Sequence, residues 1–198
     1  MLKRNLLILI SILIVIALAT VYLYQGDTLN TPDSTVLSVD TPPDEITMLS
    51  PTPLPDIGWQ NIEGETVPES FFNQDFILIN FWATWCPPCV IELPELVEFA
   101  ANRHNVHLMF VSGDTQLSDI QAFTNDVLPP ELRQMLQDNP GIVMIQDADG
   151  NITRNRFQTF RLPETYIIDK QKNIIGKVTG SLTSAGYDYI DTLRDESP

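Results

Sequence analysis

The stretch Phe81-Trp82-Ala83-Thr84-Trp85-Cys86-Pro87-Pro88-Cys89 decides how this chain is read. It holds both cysteines of the chain, three positions apart, directly after the apolar run Phe76-Ile77-Leu78-Ile79-Asn80-Phe81. Proline is suited to the first turn of a helix, where the missing N–H has no intrahelical partner to lose. Residues i and i+3 on a first helical turn fall within the geometric window of a disulfide. The stretch therefore predicts a strand, a tight turn, a redox-capable pair and a helix.

Working outward, Leu93, Leu96, Val97 and Ala100 recur at helical spacing and form an inward face. Cys89 lies four residues before Leu93 and is expected on that face, shielded, with Cys86 at the helix tip facing solvent. Pro94 falls inside the helix and is expected to kink it. The run 76–81 is apolar on both faces, as a buried central strand requires. Upstream, Ile57, Trp59, Ile62 and Val67 around Gly64 predict a short hairpin, and Ser70-Phe71-Phe72 one turn. Downstream, strands are predicted at 106–111, 142–145, 164–168 and 174–178. A helix over 118–128 has Ser118 and Gln121 in a capping-box spacing and Ile120, Phe123 and Val127 as its stripe. A short helix over 131–137 buries Leu132, Met135 and Leu136, residues 152–160 form a short helix and loop, and a last helix covers 183–194. This order predicts an α/β fold that begins with parallel βαβ units and finishes with an antiparallel hairpin and a helix.

The N-terminus has a different composition. Lys3 and Arg4 precede Leu6 to Tyr24, a run of 19 residues interrupted only by Ser11 and Thr20, long enough to span a hydrocarbon core. The positive flank predicts a cytoplasmic N-terminus with the remainder outside. A cleaved signal peptide is the alternative, because Ala17-Leu18-Ala19 fits a cleavage site; Val21-Tyr22-Leu23-Tyr24 continuing the apolar run favours a retained anchor. Either reading exports the rest. Residues 25–53, rich in Asp, Ser, Thr and Pro without periodicity, read as a disordered tether, and 54–198 as the domain. All 26 acidic residues but only 9 of the basic ones follow Gln25, a net −17 on the exported part and −15 on the whole chain. That balance argues against nucleic acid as a partner.

In an exported protein two cysteines can form a structural disulfide. A CxxC closes so short a loop that it constrains the unfolded chain little, which favours a redox role. Two cysteines cannot build a four-cysteine zinc site, and His104 and His107 have no ligand spacing to the pair. No metal site or cofactor is expected.

Residues 80–94, Asn-Phe-Trp-Ala-Thr-Trp-Cys-Pro-Pro-Cys-Val-Ile-Glu-Leu-Pro, resemble the active-site segment of the TlpA/ResA-like thioredoxins, a group that includes the CcmG/DsbE cytochrome c maturation proteins. The resemblance covers about residues 54–194. It implies a thioredoxin-like fold, a central mixed sheet flanked by helices, carried behind one N-terminal transmembrane helix. It also implies Cys86 as the attacking thiolate and Cys89 as the resolving thiol. Pro163 matches the family's cis-proline, so that the backbone of Leu162 would pair with an extended substrate, with Trp85, Pro87 and Pro88 as the rim. Where thioredoxins proper carry a buried Asp, this chain has Asn80, which cannot titrate. Glu92 then becomes the candidate proton relay for Cys89, against a solvated or capping glutamate. Trp82 reads equally as core or site, and Arg161 as an exposed cation more than as a site residue.

Together these readings predict a membrane-tethered, extracytoplasmic thiol-disulfide oxidoreductase. It would reduce substrate protein disulfides, such as those of apocytochrome c, with electrons from a membrane thiol donor of the CcdA/DsbD type. The alternatives are a copper carrier of related fold, which lacks here the usual His or Met ligand near the pair, and a redox-silent docking domain.

Overall fold

Residues 76–82 alternate their side chains between two apolar layers, and the rest of the domain is arranged to cover both. In the computed structural model, which describes residues 42, 43 and 45–195, this segment is strand β2 (Phe76–Trp82), buried along its whole length. The described residues belong to a unit beginning at Pro42. Before β2 come β1 (Ile46–Pro53) and a 3-10 turn (Glu69–Phe72); after it come α1 (Pro87–Ala101) and β3 (Val106–Ser112). Next are α2 (Leu117–Ala122), which runs into a π-helical segment (Phe123–Val127), α3 (Pro130–Asp138) and β4 (Ile142–Gln146). A π-helical turn (Asn151–Arg156), β5 (Glu164–Asp169), β6 (Asn173–Thr179) and α4 (Ser184–Asp195) complete the unit. The six strands form one sheet in the order β1-β6-β5-β2-β3-β4. β2 pairs parallel with β3 and β3 with β4, while β5 is antiparallel to both β2 and β6. The expected α/β order, parallel start and hairpin finish are all present.

Phe76, Leu78 and Trp82 face one layer, with Leu93, Leu96 and Val97 of α1, Ile120 of α2, Leu132 of α3 and Tyr189 and Ile190 of α4. Each of α1 to α4 contributes to this layer. Ile77, Ile79 and Phe81 face the other, which is closed by Trp59, Val67, Phe71, Phe72 and Phe157. Full burial of each such side chain is worth about 1.5–3 kcal/mol. The second face is therefore capped by short irregular segments. One is the expected hairpin, reduced to a single bridge between Gln60 and Thr66. Trp82 is 1% exposed and stacks edge-on against Phe110, so it is a core residue.

Several expectations are corrected. The tether does not extend to Pro53: Ile46–Pro53 is β1, paired with β6. Only Ile46 of β1 is buried, so the strand is held by its backbone ladder and shows no apolar period to read. Its ladder is irregular between Met48 and Thr52, where Pro51 sits, a position that a central strand would not allow. Gln116, not Ser118, is the N-cap of α2, and no side chain caps it. The last turn of that segment widens to π geometry, which turns Val127 out to 63% exposure; Met135 on the amphipathic α3 is also exposed, at 37%. The expected membrane span at 1–24 and the tether over 25–41 lie outside the described residues. Among the described residues no helix is long and apolar enough to cross a membrane.

Candidate active site

The chain leaves β2 at Trp82 and enters α1 through residues 83–86. Cys86 is the N-cap of α1, with extended backbone (φ −99°, ψ 100°), and Pro87 and Pro88 fill the first two helical positions. Two amides that would point out of the helix end are thus missing, and Cys89 supplies the first N–H. The Cα atoms of Cys86 and Cys89 are 5.3 Å apart and the sulfurs are joined in a disulfide.

A residue the sequence reading missed pins this loop. Asp114, 1% exposed, sits just beyond β3. Its Oδ2 accepts the Thr84 N–H at 2.9 Å and the Ser112 hydroxyl at 2.6 Å, and its Oδ1 accepts the Thr84 hydroxyl at 2.7 Å. The Gly113 N–H donates to Trp82 O at 2.9 Å, so the ends of β2 and β3 are tied together under the CxxC. The only sequence signal was an acid placed directly after a buried strand. Asp114→Ala leaves the Thr84 N–H and two hydroxyls without their acceptor, and is expected to lower stability by about 2–3 kcal/mol, read as a fall in urea midpoint at unchanged slope.

Cys89 is shielded as expected, at 2% exposure, but Cys86 is shielded too, at 4%, which corrects the expectation of a solvent-facing sulfur. The loop turns Cys86 back, its N–H donating to Ala83 O at 3.1 Å, and the disulfide ties its sulfur to the buried partner. Both cysteines belong to the apolar layer that holds Trp82, Ala83 and Leu93. The residue that projects is Trp85, 67% exposed; Pro87 and Pro88 are exposed beside it.

The Leu162–Pro163 bond is cis. The β2–β5 register sets Glu164 opposite Phe81, which brings Pro163 to the sheet end where the CxxC loop starts. Trp85 and Leu162 line one groove of about 280 Å³ together with Phe160, Thr115, Ala148 and Arg154. Phe160, 80% exposed, is part of its lining and went unnoticed in the sequence. Glu164, directly after the cis-proline, was also missed. It is 4% exposed, accepts the Thr159 hydroxyl at 2.5 Å and pairs with Lys177 Nζ at 2.9 Å. Arg161 and His104 are exposed, and His107 Nδ1 lies 2.9 Å from Phe71 O, away from this groove. Among the described residues no group of three His, Cys, Asp or Glu side chains is placed to hold a metal.

Glu92 is 3% exposed, so the solvated-glutamate reading is overturned. Cys89, Glu92, Leu93 and Leu96 share one helical face, a phase already legible in the sequence. Glu92 Oε1 accepts the Leu182 N–H at 2.8 Å, while Oε2 is buried without a hydrogen-bond partner. Burial pushes the carboxyl up to about 7; the Leu182 N–H opposes this, the charge of Glu95 adds to it, and the nearby Asn80 amide opposes it weakly. The Asn80 hydrogen bond itself goes to Thr165 Oγ1 at 2.9 Å. A carboxyl poised near neutrality beside a buried cysteine has the properties of a general acid–base group.

A buried disulfide at a helix N-terminus, beside a cis-proline at the end of a mixed sheet, defines a thioredoxin-like architecture. Solved structures agree. The chain is similar to a thiol:disulfide interchange protein of the thioredoxin family from Chlorobium tepidum TLS, with TM-score 0.58 at 19% identity over 75% of this chain and 99% of that one. It is also similar to one from Bacteroides sp., with TM-score 0.54 at 20% identity over 75% of this chain and 90% of that one. Residues 51–177 match the AhpC/TSA family, and the chain belongs to that family. Curated relatives include the thiol:disulfide interchange protein DsbE of Pseudomonas aeruginosa, 32% identical over 103 residues, which are 52% of this chain and 50% of that protein. The thioredoxin-like protein YneN of Bacillus subtilis is 30% identical over 65% of this chain and 71% of its own length. The thiol-disulfide oxidoreductase ResA of Bacillus thuringiensis subsp. konkukian is 26% identical over 62% of this chain and 65% of its length. The chain thus spans from half to about seven-tenths of the length of these relatives, and the expected resemblance to the ResA and DsbE group stands.

Proposed function

We propose that this chain is a membrane-tethered, extracytoplasmic thiol-disulfide oxidoreductase that reduces disulfides of substrate proteins. The observation that carries this reading is the Cys86–Cys89 disulfide at the start of α1, at the same sheet end as the cis Leu162–Pro163 bond. In the reduced protein the Cys86 thiolate attacks a substrate disulfide. A mixed disulfide forms and one substrate sulfur leaves. Cys89, deprotonated with Glu92 as proton acceptor, then attacks Cys86 Sγ, releases the second substrate thiol and closes the Cys86–Cys89 bond. Two electrons pass to the substrate. The substrate lies extended along Leu162, between Trp85 and Phe160. Apocytochrome c is the substrate that the resemblance of residues 80–94 implies, and a membrane thiol donor of the CcdA/DsbD type would return the electrons.

The reducing direction follows from the helix end. Pro87 and Pro88 delete two donors that would otherwise stabilise the thiolate, and strong oxidants owe their potential to a stabilised reduced form. The expected potential lies below about −200 mV, against about −120 mV for a strong periplasmic oxidant. Equilibration with glutathione buffers measures it, and a value near −120 mV would overturn the reductant reading. Labelling of intact cells with a membrane-impermeant thiol reagent reads the placement.

A further inference from the structure

The connection between β6 and α4 reaches two parts of the site. The Gly180 N–H donates to Pro163 O at 3.0 Å, directly behind the cis bond. The Leu182 N–H donates to Glu92 Oε1 at 2.8 Å. Thr183, the next residue, stands at the head of α4. Its carbonyl accepts the Tyr187 N–H at 3.0 Å and its hydroxyl the Gly186 N–H at 3.2 Å, the pattern of a helix N-cap. The aim of the Leu182 amide therefore depends on what holds Thr183.

That role falls to Glu45, a residue the sequence placed in the tether. Its Oε1 accepts the Thr183 hydroxyl at 2.5 Å and the Thr183 N–H at 3.3 Å, and its carbonyl accepts the Thr179 N–H at 3.0 Å. Side chain and backbone of Glu45 thus grip both ends of the β6–α4 connection. A carboxylate beside the first turn of a helix is favoured by the free N–H groups there. The packing is close: a methyl on Gly186 would meet Leu182 Cδ2 at 2.6 Å and Glu45 Oε1 at 2.9 Å.

We propose that Glu45 is a positioning residue for Glu92: by holding Thr183 at the head of α4 it aims the adjoining Leu182 N–H at the Glu92 carboxylate. This rests on the reading of Glu92 as proton acceptor for Cys89. The ionisable neighbours of Glu92 are Glu95 from its own helix and the Tyr187 hydroxyl from α4. The Cys86–Cys89 disulfide lies one turn before it, and β2 presents the non-titrating Asn80. Against the burial that raises the carboxyl, the Leu182 N–H is the largest influence favouring the ionised form. Misplacing that amide therefore raises the Glu92 midpoint, whereas removing the like charge of Glu45 can only lower it. The two effects of a substitution at Glu45 have opposite signs.

The test is carbon-13 NMR of the oxidised full chain in detergent micelles, labelled at the Glu carboxyl carbon, with Glu92→Gln assigning the Glu92 signal. Glu45→Ala is expected to raise the Glu92 midpoint by about one pH unit, within the worth of one hydrogen bond to a carboxylate. Glu45→Gln keeps an oxygen that can accept from Thr183 and is expected to shift it less. Gly186→Ala displaces the ends of two flexible side chains, Leu182 and Glu45, and leaves Glu92 untouched; it is expected to shift the midpoint upward as well. An unchanged or lowered midpoint in Glu45→Ala overturns the proposal. So does a Glu45→Gln shift as large as that of Glu45→Ala. The pH profile for resolution of the mixed disulfide, measured on the same variants, tests the underlying reading separately. A midpoint that rises while that profile stays in place supports the positioning by Glu45 and counts against Glu92 as the acceptor.

Discussion

Cys89→Ser is expected to arrest the reaction at the mixed disulfide, accumulating a covalent adduct through Cys86 that reducing agent releases. Cys86→Ser is expected to form no adduct, and both variants to lose catalytic turnover. The asymmetry comes from position. Cys86 is the N-cap, where the helix end favours an anion and the loop to Trp85 opens on the groove. Cys89 lies one turn in, on the face that packs against the sheet, next to Glu92 in the helical phase. On the proposed order Cys86 at the helix tip, next to Trp85 of the groove, meets the substrate disulfide, and Cys89 resolves the adduct. Non-reducing electrophoresis of membranes from cells carrying each variant reads the adducts, and mass spectrometry of the trapped chain names the substrate. Equal trapping by the two variants would refute the assigned order of attack. Trapping by neither would remove the oxidoreductase reading itself.

Glu92→Gln is expected to act on both stability and rate. Burial raises the folded carboxyl to about 7, against an ordinary value of 4.5. A carboxyl raised on folding binds more protons in the native state than in the unfolded chain between these two values. Its contribution is therefore fully present below pH 4.5 and is lost as pH rises through about 7. At about 1.4 kcal/mol per pH unit, the interval corresponds to a loss of about 3 kcal/mol by pH 8. The Gln variant cannot titrate. It is expected to lack this fall, gaining about 3 kcal/mol on the wild-type chain between pH 4.5 and 8. Urea unfolding of the oxidised proteins across that range gives the difference, in which the other titrating groups cancel. Parallel profiles would show that Glu92 is ionised at its ordinary pH. In the reduced protein the same substitution removes the proton acceptor for Cys89, and resolution of the mixed disulfide is expected to slow by about a hundredfold at neutral pH. A stabilised but slower variant is the expected combination for a buried group kept for chemistry.

Much of the fold was legible because it rests on local pattern. β2, α1, the βαβ order and the closing hairpin follow from runs and periods within a few residues. β1 was not legible: an edge strand with two prolines and one buried residue carries no apolar period and is held mainly by its pairing with β6, over a hundred residues away. The exposures of Val127 and Met135 followed local backbone geometry and helix rotation that a simple stripe does not encode.

The site divides along the same line. Sequence alone determined the redox pair, the missing helix-end donors at Pro87 and Pro88, the loss of a titrating acid at Asn80 and the phase that puts Glu92 beside Cys89. The tertiary structure alone decided that Cys86 is shielded, that Asp114 pins its loop, that Phe160 and Trp85 line one groove, and that the Leu182 amide meets Glu92. The physical reason is one of range. Helical phase and backbone donors are set by neighbours in the chain. Desolvation and the fate of a buried oxygen are set by whatever packs against it, and for Glu92 that is a segment ninety residues distant.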